Sequence, residues 1–268
     1  MPLTPARVLR TPMHAVSHDG VDDLSVIEPF TVYGWSEITI EEWIYAVHPK
    51  NNYLYANFSM IGDRWADYPA TFIWTNNKFD YNILRPNLYV RRPDGSPYEY
   101  YYELFPLVNR WVQLIRRFTS TREFSIWVNG EKRYYVTVPS DYITVLEWNP
   151  DGATYPERYR RFVLGASTIF GSFMTIMCGL LRIYRSALST DEILWNHDNP
   201  DDPVSNSLEV SLYAHPDNIY DIDNDGILEW IDLSGKGHHA KLYGSKLTTL
   251  VKEPARVLSP ARVLAPAR

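Results

Sequence analysis

A single cysteine, Cys178, leaves no partner for a disulfide within the chain, and its apolar setting, FMTIMCGLL, makes it a small buried hydrophobe. Glycine is sparse, at 13 of 268 residues, and no Gly-rich phosphate loop follows a strand-like run. No apolar run approaches the length of a membrane span, and the opening MPLTPARVLRTPMHAVSHDG holds none long enough for a signal peptide. Neither membrane insertion nor ordinary secretion is therefore expected. Positive charge is in deficit: 26 Lys and Arg face 32 Asp and Glu, for a net charge of -6 and a pI of 5.7. That balance does not suit a protein that coats phosphate backbones, so nucleic acid is not an expected partner. The seven histidines suggest no triad or metal pair, because His238 and His239 adjoin in a loop and would point apart on an extended backbone.

What the chain has in quantity is aromatic: 15% of it, with 20 Tyr and 9 Trp, alongside 19 prolines spread along its length. These favour short strands and turns over long helices, and a single all-β domain over two small ones. EFSIWVNG is the clearest strand, with Phe124, Ile126 and Val128 on one face, Ser125 and Trp127 on the other, and Asn129-Gly130 as a tight hairpin turn. SLEVSLY repeats the alternation with Leu208, Val210 and Leu212. In ITIEEWIYAV the apolar parity switches between Ile40 and Trp43, which predicts a β-bulge at Glu41-Glu42. One short helix is expected at LSTDEILWNH, capped by Ser189 with Glu192 three residues on, and Asn199-Pro200 beyond its end.

The order of these pieces resembles the laminin G-like modules of the concanavalin A-like lectin/glucanase superfamily, which are also related to pentraxins. ITIEEWI is similar to the family's early strand, and RWVQLIRRFTSTREFSIWVNGEK resembles its paired strands. LGAS with LLRIYRSALSTDEI looks like its closing strand and short helix, and WIDLSGKGHHAKLYG matches its Asp-x-Ser-Gly segment. The resemblance covers roughly residues 35 to 245 and implies an all-β fold, a two-sheet antiparallel jelly-roll sandwich. Here the Asp-x-Ser-Gly segment, Asp232 to Gly235, follows the closing strand, whereas the family generally places it near the start. Either the fold is circularly permuted and residues 207–250 complete their own sandwich, or they complete a neighbour's. The expected organisation is an extended arm over 1–20, the sandwich over 21–252 and a Pro/Arg-rich tail over 253–268.

Glucanases with this sandwich carry an E-x-D-x-E strand that aims two carboxylates at one sugar. No such strand is present. YEYYYELF brings only Glu99 and Glu103 to one face, and two solvated glutamates are its simpler reading, so catalysis is not expected.

The acidic loop DIDNDGILEWID asks for a different explanation. Two carboxylates about 5 Å apart repel by roughly 3 kcal/mol at an effective dielectric near 20, a strain that a cation would relieve. Asp221, Asp223 and Asp225 take positions one, three and five of a calcium loop, with Gly226 at the sharp turn. Ile227 would offer its carbonyl, Glu229 falls at position nine and Asp232 at twelve, where a glutamate is usual. Calcium in a structural role is one expectation, and an Asx-rich turn whose carboxylates cap backbone amides is the other.

The chain ends in EPARVLSPARVLAPAR, and its start contains TPARVL as well. Proline every six residues blocks regular helix, so these segments, marked by Pro5, Arg7, Pro254, Arg256, Pro260 and Arg262, read as solubilising tails or as arms that dock on neighbouring subunits. With no catalytic constellation, the expected function is a non-catalytic structural or surface protein of an assembled particle, a virion or cell-surface assembly. Similar lectin-like modules occur in structural proteins of viruses infecting archaea. The alternative is a calcium-stabilised carbohydrate-binding module, in which Trp65, Tyr68, Trp74 and Tyr81 would present a glycan-binding surface. The expected partners are other subunits and glycans.

Overall fold

The hairpin at Asn129-Gly130 turns as its sequence requires, both residues adopting positive φ, 51° and 76°. It joins β9 (Glu123–Val128) to β10 (Glu131–Thr137), and Phe124, Ile126 and Val128 enter the core. The computed structural model describes residues 12–46, 57–61, 71–76, 84–101, 110–144, 146–147, 149, 151, 160–167, 172–173 and 175–250. No helix among them is long and apolar enough to cross a membrane.

Two antiparallel sheets face one another. The first runs β10, β9, β8 (Trp111–Phe118), β3 (Ile38–Ala46), β14 (Thr175–Tyr184), β1 (His14–Asp19), β19 (Lys246–Thr249), with β15 (Leu208–Tyr213) also pairing with β14. The second runs β16 (Ile219–Tyr220), β17 (Leu228–Trp230), β18 (Ala240–Tyr243), β2 (Leu24–Ile27), β11 (Phe162–Leu164), β4 (Asn57–Ile61), β5 (Thr71–Asn76), β6 (Leu84–Arg91), β7 (Pro97–Tyr101). A small extra ladder joins β12 (Ala166–Ser167) to β13 (Ser172–Phe173). Alternate residues of the two sheets, among them Ile40, Leu114, Ile183, Leu212 and Trp230, fill the space between them. The expected all-β sandwich is the fold observed.

The bulge expected at Glu41-Glu42 is not there. β3 pairs with β8 in unbroken register from Ile38↔Phe118 to Tyr45↔Trp111, and the irregularity lies across the strand, between Cys178 and Leu180 of β14. The apolar parity switches because both faces of β3 are covered. Ile38, Ile40 and Ile44 pack between the sheets, together with Glu42, which pairs with Arg116 at 2.8 Å where both side chains are fully buried. Glu41 and Trp43 face the other way, beneath helix α1 (Thr190–Asp198).

That helix has the expected capping box: the Glu192 amide donates to Ser189 Oγ, and the Ser189 amide donates to the Glu192 carboxylate at 2.7 Å. It seals a buried polar network centred on Glu41. Glu41 Oε1 accepts from Gln113 Nε2 at 2.8 Å, and Glu41 Oε2 accepts from Asn196 Nδ2 at 2.9 Å with Arg182 Nη1 at 3.5 Å. The Gln113 carbonyl meets His197 Nδ1 at 2.8 Å, and the His197 ring stacks on Trp43. Ile115, Trp127, Tyr184, Leu188 and Ile193 close the apolar part of this interface. A carboxylate removed from water is tolerated only when so many donors converge on it.

Residues 207–250 complete the sandwich of their own chain. β15 pairs with β14, β18 with β2, and β19 with β1, while Leu212 bridges Asp232. β1 itself belongs to the first sheet, so the sandwich begins earlier than the expected boundary at residue 21.

Strand pairing also gives the molecule two unlike ends. β1 and β19 run antiparallel from His14↔Thr249 to Ser17↔Lys246, and the Leu250 amide donates to the Met13 carbonyl at 2.9 Å. The chain therefore enters and leaves the sandwich side by side, at one end of this ladder. At the other end lie the β1–β2 loop, the β18–β19 turn and, through the pairs Tyr243↔Leu24 and Leu228↔Leu242, the loop that precedes β17.

Candidate functional site

The loop between β16 and β17 brings the carboxylates of Asp221, Asp223 and Asp225 within 4.8 Å of one another. Two residues with positive φ, Asn224 and Gly226, curl the backbone tightly enough for its amides to point inward. Asp221 accepts from the amides of Asp225 (3.2 Å) and Gly226 (2.9 Å), Asp223 from that of Asp225 (3.3 Å), and Asp225 from that of Ile227 (2.8 Å). A lysine from the neighbouring strand adds a cation. Lys241 Nζ stands 2.9 Å from Asp225, 3.5 Å from Asp223 and 4.0 Å from Glu229. Its hydrogen bond holds the Asp225 carboxyl below the usual aspartate range, and the reciprocal contact raises the pKa of Lys241. All of these groups except Glu229 meet solvent, which screens their attraction. The repulsion read from the sequence is thus relieved by four amide hydrogen bonds and one ammonium.

Of the residues expected to hold calcium, the structure gathers Asp221, Asp223 and Asp225, with Glu229 beside them accepting from the Ile222 amide at 3.0 Å. Ile227 closes the loop through its own amide. Asp232 does not join them. It accepts from the amides of Ser211 (2.8 Å), Ser234 (2.9 Å) and His238 (3.0 Å) and from Ser234 Oγ (2.7 Å), and so ties β15 to the second sheet. In this chain the Asp-x-Ser-Gly segment is a staple.

A second carboxylate triplet, Asp19, Asp22 and Asp23, occupies the β1–β2 loop at the same end of the molecule. Asp19 accepts from the Val21 amide at 2.7 Å, and Asp23 accepts from the Asp19 amide at 3.0 Å. Burial pushes the Asp23 carboxyl up. Gly244, in the β18–β19 turn, has a φ of 73° and lies so close that a Cβ there would collide with Asp23 Oδ1.

A third constellation escaped sequence reasoning. In the β6–β7 hairpin the Tyr98 ring makes edge contacts with Tyr100 (centroids 4.8 Å apart) and Tyr142 (6.2 Å), and the Arg92 guanidinium lies 4.4 Å over its face. The bridge Arg91↔Ile143 holds the segment carrying Tyr142 against β6. Burial, reinforced by Tyr142, Tyr98 and Tyr134, pushes the Tyr100 hydroxyl up to about 12. The signal lay in YEYYYELF: tyrosines at alternate positions put Tyr98 and Tyr100 on one face.

The other expected residues fall elsewhere. Trp74 lies on β5, where the backbone alone is described, and Trp65, Tyr68 and Tyr81 lie outside the described residues. So do Pro5, Arg7, Pro254, Arg256, Pro260 and Arg262.

No family model matches the sequence, and no curated protein matches it. Solved structures do. A candidate carbohydrate-binding protein from Bacteroides ovatus superposes with a TM-score of 0.60 at 17% identity, over 90% of this chain and 60% of its own. The chain thus spans about three fifths of the length of that protein. Weaker likenesses are to a heptameric SAP-like pentraxin from Limulus polyphemus (TM-score 0.46, 12% identity, 71% of this chain and 84% of that one) and to the binding domain of botulinum neurotoxin serotype D (0.49, 10%, 74% and 45%). The fold shared with the Bacteroides ovatus protein is a two-sheet antiparallel β-sandwich.

Proposed function

We propose that the chain is a non-catalytic, glycan-binding module held in multiple copies on an assembled particle, a virion or a cell-surface assembly, by its PARVL segments. The observation that carries the binding role is the exposed Tyr98 ring with the Arg92 guanidinium over it, backed by Tyr100 and Tyr142, which pack against the core. Pyranose rings offer C–H faces that stack on aromatic rings, and hydroxyls that pair with phenol and guanidinium groups. The fold likeness to a candidate carbohydrate-binding protein agrees with this reading. The particle role is supported by the pairing of His14 with Thr249, which brings the chain's entry into the sandwich and its exit from it to one end of the β1–β19 ladder, so that the PARVL-bearing sequences on both sides start from one place.

A glycan array probed with the full chain tests the binding role. Reproducible binding that falls about tenfold or more in Tyr98→Ala at unchanged Tm supports it. The same array with Trp65→Ala asks whether Trp65, Tyr68, Trp74 and Tyr81 contribute. A blank array leaves the scaffold role alone, and release of sugar from common glucans would replace binding with hydrolysis. Calcium at Asp221, Asp223 and Asp225 belongs to the same proposal, since the three supply the hard oxygen donors the ion prefers. Its binding would raise Tm by linkage, and an unchanged Tm at millimolar calcium discards it.

A further inference from the structure

We propose that the end of the sandwich opposite the chain's two flanking segments is the receptor for a PARVL segment of a neighbouring copy, so that subunits join head to tail. The proposal rests on the reading that these segments link copies, and adds where they land.

Three observations lead there. The first is apolar exposure. Val21 (69% exposed), Tyr220 (49%), Ile222, Leu228 and Tyr243 all stand open to solvent on or beside the loops at this end. Val21 sits in the β1–β2 loop, Ile222 in the acidic loop, and Tyr243 at the mouth of the β18–β19 turn, so neighbouring strands bring them to the same end of the sandwich. Apolar side chains gathered in this way mark a contact surface more often than an accident of composition.

The second is charge. Two aspartate triplets, Asp19, Asp22, Asp23 and Asp221, Asp223, Asp225, flank those apolar groups and are met by Lys241 and Lys246. The flanking segments carry the opposite sign. Residues 1–11 and 251–268 hold six of the chain's 26 basic side chains and one of its 32 acidic ones, a net +5, which leaves -11 to residues 12–250.

The third is repetition. PARVL occurs at residues 5–9, 254–258 and 260–264. Each copy sets one guanidinium beside a Val-Leu pair, the chemistry that an acidic, apolar surface recognises: an arginine fork for a carboxylate, and aliphatic groups for exposed Val, Ile, Leu and Tyr. Identical ligands imply one kind of receptor. β19 runs away from the acidic end toward Thr249, so a contact between the sequence beyond it and the acidic end of another copy would be heterologous, closing into a ring or extending into a string.

The test is a charge swap in the full chain, read by sedimentation velocity. Wild type is expected to form assemblies that dissolve as salt is raised. Asp22→Lys with Asp223→Lys is expected to abolish them, as is Arg256→Glu with Arg262→Glu, each with unchanged circular dichroism. The chain carrying both swaps regains them. The neutral pair Asp22→Asn with Asp223→Asn, which adds no repulsion within the loops, should weaken assembly without abolishing it. If the arginine variant loses assembly while both aspartate variants keep it, the segments link copies at another surface: this proposal falls and the linking role stands. If wild type sediments as a monomer at every concentration, both fall.

Discussion

The imidazole of His18 and the hydroxyl of Ser25 share a hydrogen bond of 2.9 Å, joining β1 of one sheet to β2 of the other inside the sandwich. Burial holds the His18 pKa down at about 4, from an ordinary 6.5, against smaller opposing contributions from the Ile176 backbone and Asp19. The folded state therefore prefers neutral histidine. The stability this gives is complete above the unfolded-state value near 6.5 and is lost as pH falls toward 4. The shift corresponds to about 3 kcal/mol. Urea unfolding between pH 7 and pH 4 should show a loss of this order, and His18→Gln, which cannot take up the proton, should flatten that part of the profile. An unchanged slope in the variant would assign the acid sensitivity to other groups.

Gly165 faces the same ring. Its φ is 83°, and a Cβ at this position would collide with the His18 imidazole. Gly165→Ala combines left-handed strain with overpacking and should lower stability by more than about 2 kcal/mol. A shift of the urea midpoint with an unchanged m-value is the expected signature.

Helix α1 is held through polar groups as much as apolar ones. Asn196→Ala removes a donor to Glu41 and to Tyr184, and the acceptor for the Val204 amide, so about 2–3 kcal/mol should be lost. Glu41→Ala is expected to cost more, about 3–5 kcal/mol, because it leaves the Arg182 guanidinium buried without its carboxylate. Hydrogen exchange should show α1 amides losing protection ahead of those in β8 and β9.

Lys241 competes with any metal for the acidic loop. Lys241→Met takes the ammonium from three carboxylates and should make the rise of Tm with added calcium larger than in wild type. Equal responses, or none in either protein, would show that the amides alone satisfy the loop.

The alternation of β9, the Asn129-Gly130 turn and the capping box of α1 were legible because each is decided within a few neighbouring residues. What β3 would do was not. Its glutamates look like a break in pattern until α1 and Arg116 supply partners from far along the chain. The acidic loop was readable as a clustering of carboxylates, but the lysine that answers it comes from a strand whose pairing local sequence does not reveal. The same holds for Asp232, which twelve-residue spacing aligned with a metal loop and which strand pairing instead commits to Ser211. Tyr142 illustrates the limit most plainly, since only the bridge between Arg91 and Ile143 carries it to Tyr98.

The pairing of His14 with Thr249 means that the polypeptide comes into the sandwich and goes out of it through adjacent doorways. A unit wired in this way can be spliced into a surface loop of an unrelated host protein without prising the host apart, and its own ends can be sewn together and reopened at another turn. For protein engineering it is a cassette.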